Sequence, residues 1–183
     1  MMDEIMVEAE EHFDKAIQAF QREVGKLRTG RATPNLLDGV KVDYYGTATP
    51  LSQVASVSVV DARLLQVKPW ETKMVAPIEK AILTSDLGLT PSNRGEVVLV
   101  PIPALTGDRR REMVKMLRAE GEKAKVSIRA GRRDALDMLE AIDDMSEDDI
   151  HRAKKNVQDK VDSAATRVDT LVDEKEVEIL KGP

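Results

Sequence analysis

Apolar residues recur at three- and four-residue steps along both ends of this chain and at two-residue steps between them, and this double change of period restricts the fold more than any other feature. The first stripe, Met6, Ala9, Phe13, Ala16, Phe20, Val24 and Leu27, is one face of an amphipathic helix. It is expected to stop near Arg28-Thr29-Gly30, where glycine disfavours continuation and can supply a left-handed cap. Helical spacing returns at Asp108 and lasts to the end, broken once at Asp143-Asp144-Met145-Ser146. Ser146 has the side-chain oxygen that caps a helix, and Glu147, Asp148 and Asp149 suit the dipole of the turn that follows. The last helix then aligns Ile150, Val157, Val161, Ala164, Val168, Leu171 and Ile179. Three helices with narrow apolar stripes bury them most simply as an antiparallel three-helix bundle.

Between the first helix and the second, Val40, Val42 and Tyr44 alternate with Lys41 and Asp43 before Gly46, which predicts a half-buried strand. Val54 to Val59 and Leu64 to Val67 read as strands around a turn at Asp61-Ala62-Arg63, and Glu96 to Ile102 as another. A short helix is expected between Lys73 and Ser85, with Pro77 in its first turn. The fold class is therefore α+β: a bundle from residues 1–30 and 105–183 and an inserted β/α/β domain over 31–104, with crossings near 28–32 and 104–107.

Composition excludes several functions. With 42% hydrophobic residues the chain can bury a core, and 3% aromatic with 33% charged residues suits aliphatic helical seams. Without cysteine there is no disulfide, thiolate nucleophile or cysteine-based metal site. The opening MMDEIMVEAEEHFDKAI is acidic and amphipathic, with neither a basic leader nor an apolar run long enough to span a membrane, so a cytoplasmic protein is expected. His12 and His151 have no metal-ligand companion in sequence, and the carboxylates read as solvated helix faces rather than acid–base pairs. Trp70, the one tryptophan, follows a strand and Pro69 and is expected to pack in the inserted domain rather than serve as a stacking platform. Gly121 and Gly131 lie in the seam of the middle helix, where close helix approach accounts for them. No P-loop or nucleotide-binding glycine motif is present.

The middle helix carries the most informative pattern. Its apolar stripe is Val114, Leu117, Gly121, Ala124, Ile128, Gly131, Ala135, Met138 and Ile142, and beside it run Arg111, Lys115, Arg118, Glu122, Lys125, Arg129 and Arg132. Helical geometry makes the second set a ridge next to the buried seam, about 32 Å long. From Leu105 to Asp134 ten cations face five acids, a local charge of +5, so a chain of net charge −5 carries −10 elsewhere. Seven of those ten cations are arginines, whose planar fork matches phosphate bidentately. RNA is the leading partner on this ground, while a solvated face paired with acids of neighbouring helices, or an adaptor bundle gripping an acidic protein, stays open. A hydrolase in the inserted domain would need convergent titratable groups, which that segment does not supply.

Leu27-Arg28-Thr29-Gly30-Arg31-Ala32, Asp43-Tyr44-Tyr45-Gly46, Ser85-Asp86-Leu87-Gly88, Leu105-Thr106-Gly107-Asp108-Arg109-Arg110-Arg111, Lys125-Val126-Ser127-Ile128-Arg129 and Arg132-Arg133-Asp134 follow one another in that order. Through them nearly the whole chain resembles the ribosome recycling factor family. It implies an L-shaped, tRNA-like, monomeric protein without cofactor, metal or enzymatic activity. Such a protein binds the post-termination ribosome at large-subunit RNA and, with elongation factor G and GTP, promotes separation of the subunits and release from mRNA. On that resemblance, rRNA contacts are expected from Arg129 and Arg132, then Arg110 and Arg133, with Arg111, Lys115, Arg118 and Lys125. Hinges are expected at Arg28, Thr29, Gly30 and Arg31 and at Ala104, Leu105, Thr106 and Gly107. Ala130, where the family often has asparagine, and Arg94, where an acid is common, depart from the pattern.

Overall fold

A computed structural model describes the protein over residues 1–182. Its elements run α1 (Met2–Gly25), β1 (Lys41–Tyr44), β2 (Thr47–Pro50), a single turn α2 (Leu51–Val54), β3 (Ala55–Asp61), β4 (Leu64–Pro69), α3 (Val75–Leu83), β5 (Ser92–Asn93), β6 (Val98–Pro101), α4 (Gly107–Glu140) and α5 (Glu147–Lys181), with 3-10 turns at Pro34–Leu37 and Thr72–Met74. Two compact units result: Met1–Arg28 with Gly107–Leu180, and a second built on Thr29–Thr106.

In the first unit the apolar stripes of α1, α4 and α5 close on one core, with Phe13, Phe20, Leu117, Ile128, Leu139, Val157, Val168 and Ile179 among its buried side chains. The helix directions follow from cross-contacts. His12 lies against Gly131 and Phe20 against Gly121, so α1 and α4 are antiparallel. Arg118 meets Glu176 and Arg132 meets Gln158, so α4 and α5 are antiparallel too. The seam glycines permit the close approach of both neighbours: a Cβ on Gly131 would stand 2.4 Å from His12 Cδ2 of α1, and one on Gly121 2.9 Å from Val172 Cγ2 of α5. Ser146 Oγ accepts a hydrogen bond from the Asp149 N–H (3.2 Å), the cap that its position called for.

Two helical details differ from the sequence expectation. α1 ends at Gly25, with Lys26 right-handed at the C-cap, and Gly30 takes its left-handed φ of +77° in the following crossing segment rather than as a helix cap. Glycine costs a helix about 1 kcal/mol relative to alanine, and Gly25, unlike Gly121 and Gly131, has no close helix approach to offset it. On α4, Met138 is 44% exposed while Leu139 is fully buried. A strict seven-residue repeat falls behind a straight α-helix by about 20° per heptad, so by the fourth heptad the next residue faces the core.

The second unit contains a β1–β2 hairpin and an antiparallel four-stranded sheet ordered β3-β4-β6-β5. Its core joins Val42, Leu51, Leu65, Val67, Ile78, Ile82, Val98 and Val100, with α3 contributing its buried face. Ala32 in the first crossing and Ile102, just before the second, are tied to the turn between β3 and β4: the Ala32 N–H donates to the Ala62 carbonyl and the Ile102 N–H to the Arg63 carbonyl, each at 2.8 Å. Trp70 corrects an expectation, because it is 65% exposed rather than packed. It stands beyond the buried Pro69 at the end of β4, where the chain leaves the sheet, and its backbone N–H donates to the Val54 carbonyl.

Candidate nucleic-acid interface

The ridge of cations on α4 divides by its position around the helix. Each residue advances 100°, so Arg118, Lys125 and Arg132 fall nearer the seam than Lys115, Arg129 and Arg133, which project further out. The inner three meet α5. Arg118 makes a bidentate pair with Glu176, Nη2 to Oε1 at 2.6 Å and Nε to Oε2 at 3.3 Å. Lys125 pairs with Asp169 and stands 3.9 Å from Glu122. Arg132 is half-buried, and its Nε donates to Gln158 Oε1 at 2.6 Å, while Gln158 Nε2 donates to Asp162. That relay fixes the Arg132 guanidinium and, among the described residues, leaves both terminal nitrogens for another acceptor.

The outer three are different. Lys115, Arg129 and Arg133 are exposed and form no ion pair or hydrogen bond among the described residues. Arg129 and Arg133 are four residues apart, so two cations repel across one helical turn without a carboxylate between them. Such an arrangement favours an anion from outside. The lower end of the ridge is locally neutralised: Arg111 pairs with Asp108, and Arg109 with Glu112 at 3.1 Å.

Arg110 is not on the ridge face. Its position puts it in line with the seam at the start of α4, where Nη1 donates to the Leu180 carbonyl at 3.2 Å near the end of α5. A guanidinium there satisfies a terminal carbonyl and opposes the negative end of the helix dipole. Its Nε is buried and has no hydrogen-bond partner among the described residues.

Along the crossings, Gly30 holds a backbone conformation open to few other residues, and its Cα faces Leu105: an added Cβ would be 3.4 Å from Leu105 Cγ. Thr29 is buried, whereas Arg31, Ala104 and Thr106 are exposed. His12 serves packing: its Nε2 lies 2.9 Å from the Ser127 carbonyl, which can only accept, so that nitrogen carries the proton. Among the described residues no cluster of His, Cys, Asp or Glu is arranged to hold a metal, and no helix is long and apolar enough to cross a membrane. Sequence periodicity did not point to Asp169, Glu176 or Gln158 as partners of the ridge, because a stripe orients its own helix and says nothing of what opposes it.

Comparison with known proteins gives one consistent result. The family model described as ribosome recycling factor matches residues 20–180. The chain is 50% identical to the ribosome-recycling factor of Thioalkalivibrio sulfidiphilus, covering 99% of this chain and 100% of that one. It is 48% identical to that of Sorangium cellulosum, covering 98% and 99% respectively. A solution structure of a ribosome recycling factor superposes with a TM-score of 0.75 at 36% identity, covering 99% of this chain and 98% of that one. A model of the T. thermophilus ribosome recycling factor and E. coli elongation factor G bound to the E. coli post-termination complex matches with a TM-score of 0.64 at 40% identity, covering 98% and 99%.

Proposed function

The chain belongs to the ribosome recycling factor family, and from that premise we propose that its cationic α4 face anchors it to large-subunit RNA of the post-termination ribosome. With elongation factor G and GTP, the anchored protein then promotes separation of the subunits and release from mRNA. The observation that carries the anchoring role is the pair Arg129 and Arg133, exposed one turn apart and unpaired among the described residues, beside an Arg132 held in place by Gln158. Phosphate is the ligand that three neighbouring arginines fit best, since charge-assisted bidentate bonds are short and about twice as strong as neutral ones.

In this reading the ridge has two tiers. Lys115, Arg129, Arg132 and Arg133 make contacts directly, whereas Arg118 and Lys125 must exchange a carboxylate of α5 for a phosphate, and Arg111 must exchange Asp108. Exposed pairs of this kind are worth about 0–1 kcal/mol, so exchange is affordable only where RNA offers well-placed phosphates. That requirement suppresses adhesion to arbitrary polyanions, as does the acidic balance of the rest of the chain. Arg110 contributes by securing the ends of α4 and α5. The crossings at Arg28 to Arg31 and Ala104 to Gly107 serve as the hinge through which the second unit moves when elongation factor G acts. The GTPase is the partner's, and this chain works as a non-enzymatic, monomeric cytoplasmic factor.

Co-sedimentation with ribosomes at physiological salt tests the anchor. Arg129→Ala and Arg132→Ala should each weaken binding; if both variants bind and split ribosomes as the parent does, RNA is held elsewhere.

A further inference from the structure

We infer that the aromatic cleft of the second unit, built by Tyr44, Tyr45, Trp70 and Glu71, receives an arginine side chain from a partner protein. The cleft encloses about 530 Å³. Trp70 and Tyr45 are each 65% exposed within a chain that has only five Phe, Tyr and Trp residues in all, so two of its few large rings lie open to solvent in one depression. The Tyr44 and Tyr45 rings meet edge to face at 4.5 Å. Tyr45 is held there at a backbone cost, since it is the sole non-glycine residue with positive φ (+50°) among the described residues and occupies, with Gly46, the two-residue turn of the β1–β2 hairpin.

The chemistry of the cleft selects a cation. The Glu71 carboxylate accepts from both tyrosine hydroxyls, at 3.2 Å from Tyr44 and 3.0 Å from Tyr45, which fixes its position beside the rings. The site already holds a cation from its own chain: Lys73 Nζ sits 4.6 Å from the Tyr45 ring centroid and 3.8 Å from Glu71. Tyr45 first, and Glu71 with it, also push the Lys73 ammonium above its ordinary pKa. Trp70, the better ring for a cation, has no cation over it among the described residues. A guanidinium fits the Trp70 face: it is planar, weakly hydrated, stacks on an indole and reaches a carboxylate with its free edge. Phosphate does not fit, because Glu71 is central and residues 29–106 balance seven Lys and Arg against seven Asp and Glu.

Trp70 supplies its own readout as the chain's one tryptophan. Full-length protein is titrated with N-acetyl-arginine methylamide, with the alanine analogue as control and hexauridylate as the nucleic-acid arm, while Trp70 emission is followed. The arginine probe should give a saturable change that the alanine analogue does not. Glu71→Gln, which retains an acceptor for the tyrosines, should weaken it by roughly three- to fivefold. Lys73→Ala should strengthen it by a similar factor, since the competing ammonium is removed. A nucleobase site would give the opposite signs: saturation with hexauridylate in place of arginine, and weaker binding in Lys73→Ala. That pattern, or no saturable change with the arginine probe, overturns the inference.

Discussion

Replacing Gly131 by alanine would put a carbon 2.4 Å from His12 Cδ2, 2.9 Å from Nε2 and 3.0 Å from Cγ. Carbon atoms in good contact sit about 3.5–4.0 Å apart, so more than an ångström has to be found across a packed seam. The His12 ring can withdraw only by giving up the 2.9 Å hydrogen bond to the Ser127 carbonyl, and otherwise α1 and α4 must separate along their length. Overpacking of this kind costs about 1–3 kcal/mol, offset in part by the roughly 1 kcal/mol by which alanine surpasses glycine as a helix residue. The expected net loss is about 0–2 kcal/mol, each kcal/mol corresponding to some 4–8 °C of melting temperature for a bundle of about 100 residues. The informative comparison is the same substitution in a His12→Ala background. There the space is open, so alanine at position 131 should become neutral or stabilising by up to about 1 kcal/mol. Urea denaturation followed by helical circular dichroism measures all four corners of this cycle. Equal loss in both backgrounds would show that the glycine is not there for the approach of His12.

Three further outcomes follow from the geometry. Arg129→Ala should lower the slope of log affinity for ribosomal RNA against log salt by about 0.7–0.9, the contribution of one phosphate contact, measured by filter binding across salt concentrations. Ser146→Ala should destabilise the bundle by about 1 kcal/mol in the same denaturation assay, because the Asp149 N–H loses its cap. Gly30→Ala should cost about 1–2 kcal/mol from the left-handed backbone alone, read as a lower midpoint of unfolding, and proline is excluded there by the sign of φ.

The parts of this protein that were legible in its sequence are those fixed by local rules. Stripes on three helices, the Ser146 cap and the alternation in β1 each depend on spacing along one segment, and each appears where that spacing placed it except at the end of α4, where Leu139 takes the buried place expected of Met138. Elements that depend on pairing were not legible: β2, reading Thr47-Ala48-Thr49-Pro50, has no apolar alternation and forms because the Tyr45-Gly46 turn lays it against β1. The candidate interface divides in the same way. Charge counting located the cationic ridge, but only the fold distinguishes Arg129 and Arg133, which face outward, from Arg118 and Lys125, which α5 engages. Likewise, a lone tryptophan after a strand suits a core or a surface equally well by composition, and its exposure follows from where β4 leaves the sheet.

In the proposed role this chain, through α4, takes post-termination ribosomes apart together with elongation factor G. Light scattering of such ribosomes, with the protein, elongation factor G and GTP each omitted in turn, measures it directly. Scattering should fall only when all are present, and more slowly with Arg132→Ala in place of the parent. Splitting that proceeds equally well without this protein would contradict that role.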